Sequence, residues 1–256
     1  IIIEQLGLSK CQPVSTPRVK YKQEDKERPE NAKALERPDQ LLYRSLTMRA
    51  QYLSQDRPDL PEATKELARK MKEPTVLDFT NLKRLGRYLK GRPRGVFQYE
   101  AQAMPYSIDL FVDSDHAGCV VTRKTTGGFV ANFGDHVVKT GSQIHSTISL
   151  SSGESEFYQL VKGAAVALSI QSLLRDWGIE VKANIYSDSS AAISFSSRKG
   201  LGKQRHVQTR YLWIQERVSE KHIAIHKIAG VDNVSDILTK SVAGPLLNRP
   251  LETMGF

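Results

Sequence analysis

The chain has 256 residues, of which 39% are hydrophobic and 25% charged, with a formal net charge of +9. This composition excludes a disordered chain and predicts a globular protein of one large or two small domains. Its two cysteines form no disulfide or metal-ligand pattern, which favours a reducing compartment. No apolar run reaches the ~20 residues that cross a bilayer, and no signal peptide is visible. We therefore expect an intracellular protein that does not span a membrane.

The first part of the chain is basic and predicts a linker followed by helices. Residues 1–100 carry 21 Lys and Arg against 14 Asp and Glu, whereas residues 101–256 carry 16 against 14. Residues 1–38 combine scattered prolines with few apolar side chains, which favours a poorly ordered linker. Helical spacing follows in residues 41–54, 61–72 and 78–90, the last with Asp78 as its expected cap. Leu42, Leu46, Arg49 and Leu53 are expected on one side of the first of these helices.

The third helix has two chemically different sides. Leu82, Leu85 and Leu89 fall on one side. The other side carries four cations, namely Lys83, Arg84, Arg87 and Lys90, and no acid occurs in residues 79–99. Such a face is often only solvated surface, but its charge favours contact with the phosphates of a nucleic acid.

Residues 101–106 indicate a hinge into a second domain with an α/β pattern. Strands are predicted at residues 108–113, 125–134, 143–150, 183–187 and 222–228. Helices are predicted at residues 152–175 and 205–220, with shorter ones after Asp188 and at 233–241. Five strands with helices between the later ones predict a layered sheet.

Four acids occur at the ends of these elements. Asp113 ends the first strand, Asp188 ends the fourth, and Asp236 lies in the first turn of the last helix. Each has an ordinary structural role available, as a turn residue, a helix cap or a partner of the helix dipole. The fourth acid is one of two glutamates near the start of the long helix. Ser151 and Glu154 fit a capping box, which would leave Glu156 free. The helical wheel places Glu154 nearer the apolar face, so the choice between Glu154 and Glu156 stays open.

Clustered carboxylates repel one another and need a cation. Oxygen ligands alone suit Mg²⁺ or Mn²⁺, and two such ions ~4 Å apart can support in-line displacement at a phosphodiester.

Several segments, taken in order, resemble the C-terminal part of copia-type retrotransposon Pol polyproteins. Residues 112–118 (Val-Asp-Ser-Asp-His-Ala-Gly), 123–129, 150–157 and 233–240 are similar to the ribonuclease H domain. Residues 43–45, 57–60 and 82–91 look like the segment that links the reverse transcriptase to that domain. Each motif is weak alone, but the ordered set is specific and covers roughly residues 40–242.

This resemblance implies a fold, an activity and a domain plan. The fold would be a ribonuclease H-like mixed five-stranded sheet with helices on both faces. The reaction would be hydrolysis of the RNA strand of an RNA–DNA hybrid, with two Mg²⁺ or Mn²⁺ ions as cofactors. Asp113, Glu156, Asp188 and Asp236 would be the catalytic metal ligands. Residues 39–100 would be the helical end of the reverse transcriptase, 106–242 the ribonuclease H-like domain and 243–256 a tail.

The expected partners are an RNA–DNA hybrid and the upstream polymerase part of the same polyprotein, in a cytoplasmic retroelement particle or the nucleus. A basic stretch after the third acid is expected to hold the hybrid through phosphates, and consists of Arg198, Lys199, Lys203, Arg205 and Arg210. Two other interpretations remain open: a degenerate nucleic-acid-binding remnant without turnover, and a related enzyme that cuts or joins DNA.

Overall fold

The computed structural model describes residues 1–21, 23–119, 122–202 and 206–256. The chain forms two compact units. Unit 1 comprises residues 1–97 with 241–251 and 256, and unit 2 comprises residues 98–240 with 252–255.

Unit 1 is helical. Its elements in residues 1–97 are α1 (Ile2–Gln5), α2 (Gln23–Glu27), α3 (Pro29–Ala32), α4 (Arg37–Leu53), α5 (Pro61–Ala68) and α6 (Val76–Gly91). The buried residues of α4 are Tyr43, Leu46, Thr47 and Ala50, whereas Arg49 is exposed. Of the expected stripe, Leu46 is buried, but Leu42 and Leu53 are only half-buried, because Tyr43 and Ala50 take the core-facing places.

Helix α6 begins three residues earlier than predicted, counted from cap to cap. Its N-cap is Thr75, whose side chain accepts from the Asp78 amide, while Asp78 accepts from the Thr75 amide at 2.9 Å. Asp78 thus closes a reciprocal capping box three residues into the helix and is not the cap itself.

Residues 1–38 carry three short helices, although their composition favours poor order. Leu6 and Leu8 are buried and lie against α6 at Gly86. A Cβ at Gly86 would come within 2.7 Å of a terminal methyl of Leu8, so a larger residue here would force that side chain to move.

Unit 2 contains a mixed five-stranded sheet. Its strands are β1 (Ser107–Asp115), β2 (Thr126–Phe133), β3 (His136–Ile144), β4 (Lys182–Ser187) and β5 (Ile223–Lys227). The spatial order is β3-β2-β1-β4-β5. β1, β2 and β3 pair antiparallel, and β1, β4 and β5 pair parallel. This confirms the predicted fold class.

The third strand lies earlier than predicted. Phe133 and His136 pair across a two-residue turn, and Gly134 has a φ of 63°, a conformation that glycine adopts at little cost. The chain therefore reverses at once, and β3 ends at Ile144 instead of occupying residues 143–150. The strand was missed because its sequence is largely polar, and Val137 alone among its nine residues is buried.

Three helices cover one face of the sheet: α7 (Ser152–Asp176), α8 (Ser190–Ser197) and α9 (Trp213–Ser219). α7 packs on β1, where Gly163 approaches Leu110 and Val112. By length and composition α7 would pass as a membrane-spanning helix, but half of its apolar window is buried in the protein. It is the central core helix of unit 2.

The opposite face carries the 3₁₀ helix Val234–Leu238, which meets β2 at Gly128. The short helix predicted at residues 233–241 is therefore a 3₁₀ helix, and it is shorter than predicted. The predicted helix 205–220 is also shorter, since a 3₁₀ turn at Thr209–Tyr211 precedes α9. The last helix of the chain is α10 (Gly244–Thr253).

Candidate metal centre

Three of the four predicted acids meet at one end of the sheet. One carboxylate oxygen each from Asp113, Glu156 and Asp188 lies within 4.8 Å of the other two. β1 and β4 are parallel neighbours, so Asp113 and Asp188 both lie near the C-terminal ends of adjacent strands. Glu156 joins them because α7 begins at the same end of the sheet.

Asp113 is held in a position that is largely shielded from solvent. Its side chain is only 6% exposed, and the Thr239 hydroxyl donates to its Oδ2 at 2.5 Å. Burial raises the pKa of Asp113 to about 7, and the neighbouring charge of Asp236 adds to this effect. A carboxyl group with such a pKa has free energy to gain from a bound cation.

Glu156 has one satisfied oxygen and one unsatisfied oxygen. Its Oε1 accepts from the Ser114 amide at 3.1 Å and from the Ser114 hydroxyl at 2.8 Å. Its Oε2 is buried and has no hydrogen-bond partner among the described residues. Burial, reinforced by the charge of Asp113, raises the pKa of Glu156 to about 8. A buried oxygen without a partner is costly and calls for a ligand or a proton.

Asp188 is the least buried of the three. It does not cap the following helix, because the N-cap of α8 is Ser189. Lys227 donates to the Asp188 main-chain carbonyl, and a Cβ at Gly230 would lie 3.1 Å from its Oδ2. The loop after β5 thus passes beside this carboxylate at Gly230.

Asp236 lies next to Asp113 but outside the three-carboxylate group. Its charge is one of the causes of the raised pKa of Asp113, and its Oδ1 accepts from Lys240 at 3.0 Å. The sequence predicts Asp236 as a fourth metal ligand, and the structure gives this acid a cation partner of its own.

Asn233 is a residue that the sequence analysis did not single out. Its amide donates to the Val112 carbonyl of β1 at 2.9 Å, and its Oδ1 accepts from the Ser235 amide and hydroxyl. This buried side chain fixes the segment carrying Asp236 against the strand carrying Asp113. The sequence feature that could have identified Asn233 is its position as the N-cap of the following helix.

The structure separates the two glutamates of α7. Glu154 is 2% exposed and accepts hydrogen bonds from three groups, the Leu150 amide, the Tyr158 hydroxyl and His206. Ser151 does cap the helix, but Glu154 accepts from Leu150 and not from the expected Ser151 amide. Burial raises the pKa of Glu154, but these hydrogen bonds outweigh it, so the pKa lies below its usual value. Glu154 is satisfied by the protein, and Glu156 is not.

The predicted phosphate-binding cations of α6 contact the N-terminal segment. Arg84 donates to Thr16 at 2.8 Å, Arg87 to the Gln12 carbonyl at 2.8 Å, and Lys90 to two carbonyls, of Ser9 and Cys11. Lys83 instead lies over the ring of Phe79.

The second predicted basic group is only partly described. Arg198 lies over the ring of Phe195 and donates to the Leu201 carbonyl, and Lys199 is exposed. Arg210 lies over the ring of Tyr211. Lys203 and Arg205 lie outside the described residues, so their predicted contacts stay predictions.

No model of a protein family matches this chain. It is 33% identical over 165 residues to an uncharacterized mitochondrial protein of Arabidopsis thaliana. The matched region covers 64% of this chain and 65% of that protein. It is 28% identical over 210 residues to the retrovirus-related Pol polyprotein from transposon RE2 of Arabidopsis thaliana, which covers 80% of this chain. The chain spans only 14% of that polyprotein's length.

Among solved structures, the N-terminal ribonuclease H domain of a Mycobacterium tuberculosis protein, crystallised as a fusion with maltose-binding protein, matches 58% of this chain and 98% of its own. Its sequence identity is 15% and its TM-score 0.38.

Proposed function

Because the homologues of this chain are retrovirus-related Pol polyproteins of copia-type transposons, we propose that it is the ribonuclease H-type part of such a polyprotein. Its activity would be divalent-metal-dependent endonucleolytic hydrolysis of the RNA strand of an RNA–DNA hybrid. The strand order and directions of unit 2 agree with the fold that this activity implies.

One observation carries the proposal. Asp113, Glu156 and Asp188 converge from three separate elements, and the buried Glu156 Oε2 lacks a protein partner among the described residues. Helix capping does not explain the positions of Glu156 and Asp188, because the N-caps of α7 and α8 are Ser151 and Ser189. The arrangement fits a divalent cation, whose charge would offset the repulsion of the acids.

The donor set fits Mg²⁺ or Mn²⁺, because all three side chains offer hard oxygen ligands. Asp113, Glu156 and Asp188 would hold one ion, and Asp236 beside Asp113 would share a second. When bound, such ions supply an activated water molecule and stabilise the leaving oxygen of the phosphodiester.

The protein's own groups prepare this site. The Ser114 amide and hydroxyl orient Glu156 through its Oε1 and leave Oε2 free to act as a ligand. Thr239 fixes Asp113 through its Oδ2. Since the pKa values of Asp113 and Glu156 are raised to about 7 and about 8, metal binding near neutral pH would release protons.

The proposed partners follow from this role. The hybrid would be held through its phosphates. Of the predicted phosphate-binding cations that the structure describes, Lys83, Arg198, Lys199 and Arg210 make no hydrogen bond to the N-terminal segment. The upstream polymerase part of the polyprotein would supply the rest of the nucleic-acid path. The site of action would be intracellular, in the retroelement particle.

The decisive experiment is a cleavage assay on an end-labelled RNA–DNA hybrid with the full chain. We expect RNA-strand cleavage with Mg²⁺ or Mn²⁺, none with EDTA, and none for Asp113→Asn. Double-stranded DNA and double-stranded RNA of the same sequence serve as substrate controls. Cleavage of duplex DNA in preference to the hybrid would replace the proposal by the DNA-cutting interpretation.

The pairing of Asp236 with Lys240 favours one alternative, a degenerate remnant that binds nucleic acid without turnover. Such a protein would retain hybrid binding while showing no cleavage at any Mg²⁺ or Mn²⁺ concentration. Measuring binding and cleavage on the same labelled hybrid separates the two functions.

A further inference from the structure

The cations near the acidic site are unevenly distributed. Among the described residues, no ion pair joins Asp113, Glu156 or Asp188 to a Lys, Arg or His, whereas Asp236 pairs with Lys240 at 3.0 Å. The acid outside the three-carboxylate group is thus the one that already has a positive partner.

Lys240 is placed to act on more than Asp236. Thr239 and Lys240 are consecutive, and they contact Asp113 and Asp236 respectively. The ammonium group of Lys240 lies against the Asp236 carboxylate, one residue along the chain from the hydroxyl that donates to Asp113.

The pair is also accessible enough to open. The side chains of Lys240 and Asp236 are 48% and 34% exposed. Exposed ion pairs contribute little to stability, so this contact can be exchanged for a stronger one. A divalent ion between Asp113 and Asp236 would be such a contact.

We propose that Lys240 is a built-in counter-ion that holds Asp236 in the metal-free protein and must release it before a second divalent ion can bind there. The inference rests on the proposed metal-dependent function and adds a residue that regulates metal occupancy. It makes Lys240 a positioning residue that lowers the affinity of the second ion while stabilising the site without metal.

The test is Mn²⁺ titration of the full chain by calorimetry, for wild type, Lys240→Met, Lys240→Arg and Lys139→Met. Lys240→Met removes the charge while keeping the chain length, and Lys240→Arg keeps the charge. Lys139 is an exposed lysine of β3 and controls for loss of one positive charge elsewhere. We expect the weaker Mn²⁺ affinity to rise about two- to fivefold in Lys240→Met, with Lys240→Arg and Lys139→Met close to wild type.

Thermal melting gives an independent readout. In EDTA, Lys240→Met should melt about 1–4 °C below wild type, and saturating Mn²⁺ should abolish this difference. Simple structural damage would lower metal affinity and persist with Mn²⁺, which is the opposite pattern.

The outcomes are distinguishable. If wild type binds Mn²⁺ and Lys240→Met binds it equally or more weakly, the counter-ion role is overturned while the proposed function stands. If wild type binds no Mn²⁺ at all, both the proposed function and this inference fail.

Discussion

Two charged regions of this protein, one acidic and one basic, differ in how their charges are satisfied. In unit 2, the buried carboxylates of Asp113 and Glu156 have no cation partner among the described residues, and one Glu156 oxygen has no partner of any kind there. In unit 1, three of the four cations on α6 donate to the chain's own acceptors in residues 9–16.

The contrast shows why charge alone is a poor indicator of a site. A run of cations on a helix is conspicuous in the sequence, yet here three of its four side chains donate hydrogen bonds within unit 1. The carboxylates are scattered along the sequence, yet the fold brings three of them together and, among the described residues, leaves one buried oxygen of Glu156 without a partner. Such an oxygen calls for a ligand or a proton, because burying it without either costs free energy.

The largest expected effect is at the unsatisfied glutamate. Glu156→Gln should reduce hybrid cleavage by more than about a hundredfold, since even partners of metal ligands commonly matter by 10–100-fold. Gln can still accept the Ser114 bonds, so folding should survive. Cleavage rates and circular dichroism on the same preparation check both statements, and retained cleavage would remove Glu156 from the site.

The second prediction concerns the pH dependence of stability in the metal-free protein. Because the pKa values of Asp113 and Glu156 are raised to about 7 and about 8, the folded state binds more protons than the unfolded state above the unfolded pKa values. Their contribution to the free energy of unfolding therefore falls as pH rises above the unfolded pKa values of 3.8 and 4.5, and this fall continues until pH passes about 7 to 8.

Melting from pH 6.5 to 8.5 in EDTA should show this loss, and Mn²⁺ should reverse it. Below that window His145 acts in the opposite sense, since burial lowers its pKa to about 4. The matched control is the double variant Asp113→Asn, Glu156→Gln, which should melt roughly 2–12 °C higher than wild type at pH 8 in EDTA, for a gain of ~1–3 kcal/mol. Identical pH profiles for the two proteins would contradict the raised pKa values.

The third prediction uses Glu154 as the satisfied counterpart of Glu156. Glu154→Gln should lower the free energy of unfolding by ~1–3 kcal/mol, because charge-assisted hydrogen bonds from His206, Tyr158 and the Leu150 amide are weakened. Most hybrid cleavage should remain under conditions where the variant is folded. Cleavage lost together with unchanged stability would mean that the two glutamates have been assigned the wrong way round.

The smallest effect is expected on the basic face of α6. Changing Arg84 and Arg87 to Ala removes two hydrogen bonds to residues 12–16, so this segment should become more sensitive to proteolysis, at a cost of ~1 kcal/mol per bond. We expect the salt dependence of hybrid binding to change little. A slope flatter by up to about two units would instead show that these arginines bind phosphates, as the sequence predicts.

Much of this protein was readable from the sequence because its signals are local. The period of two in β1, the Ser151 cap of α7 and the turn-forming residues identify elements without knowledge of their neighbours. Asp113, Asp188 and Asp236 could be proposed because acids at element ends can be located from the same patterns. The polar β3 was misplaced, since an exposed strand carries a weak apolar alternation.

What the sequence by itself determined is therefore the α/β class, the order of the five strands and the set of candidate acids. Only the tertiary structure decided which of those charges are satisfied, because hydrogen-bond partners come from distant parts of the chain. His206 satisfies Glu154 across 52 positions, Thr16 engages Arg84 across 68, and Asn233 fixes the last acid's segment to β1 across 121. The spacing of residues along the chain does not reveal such contacts, because they form only when folding brings remote groups within hydrogen-bonding distance.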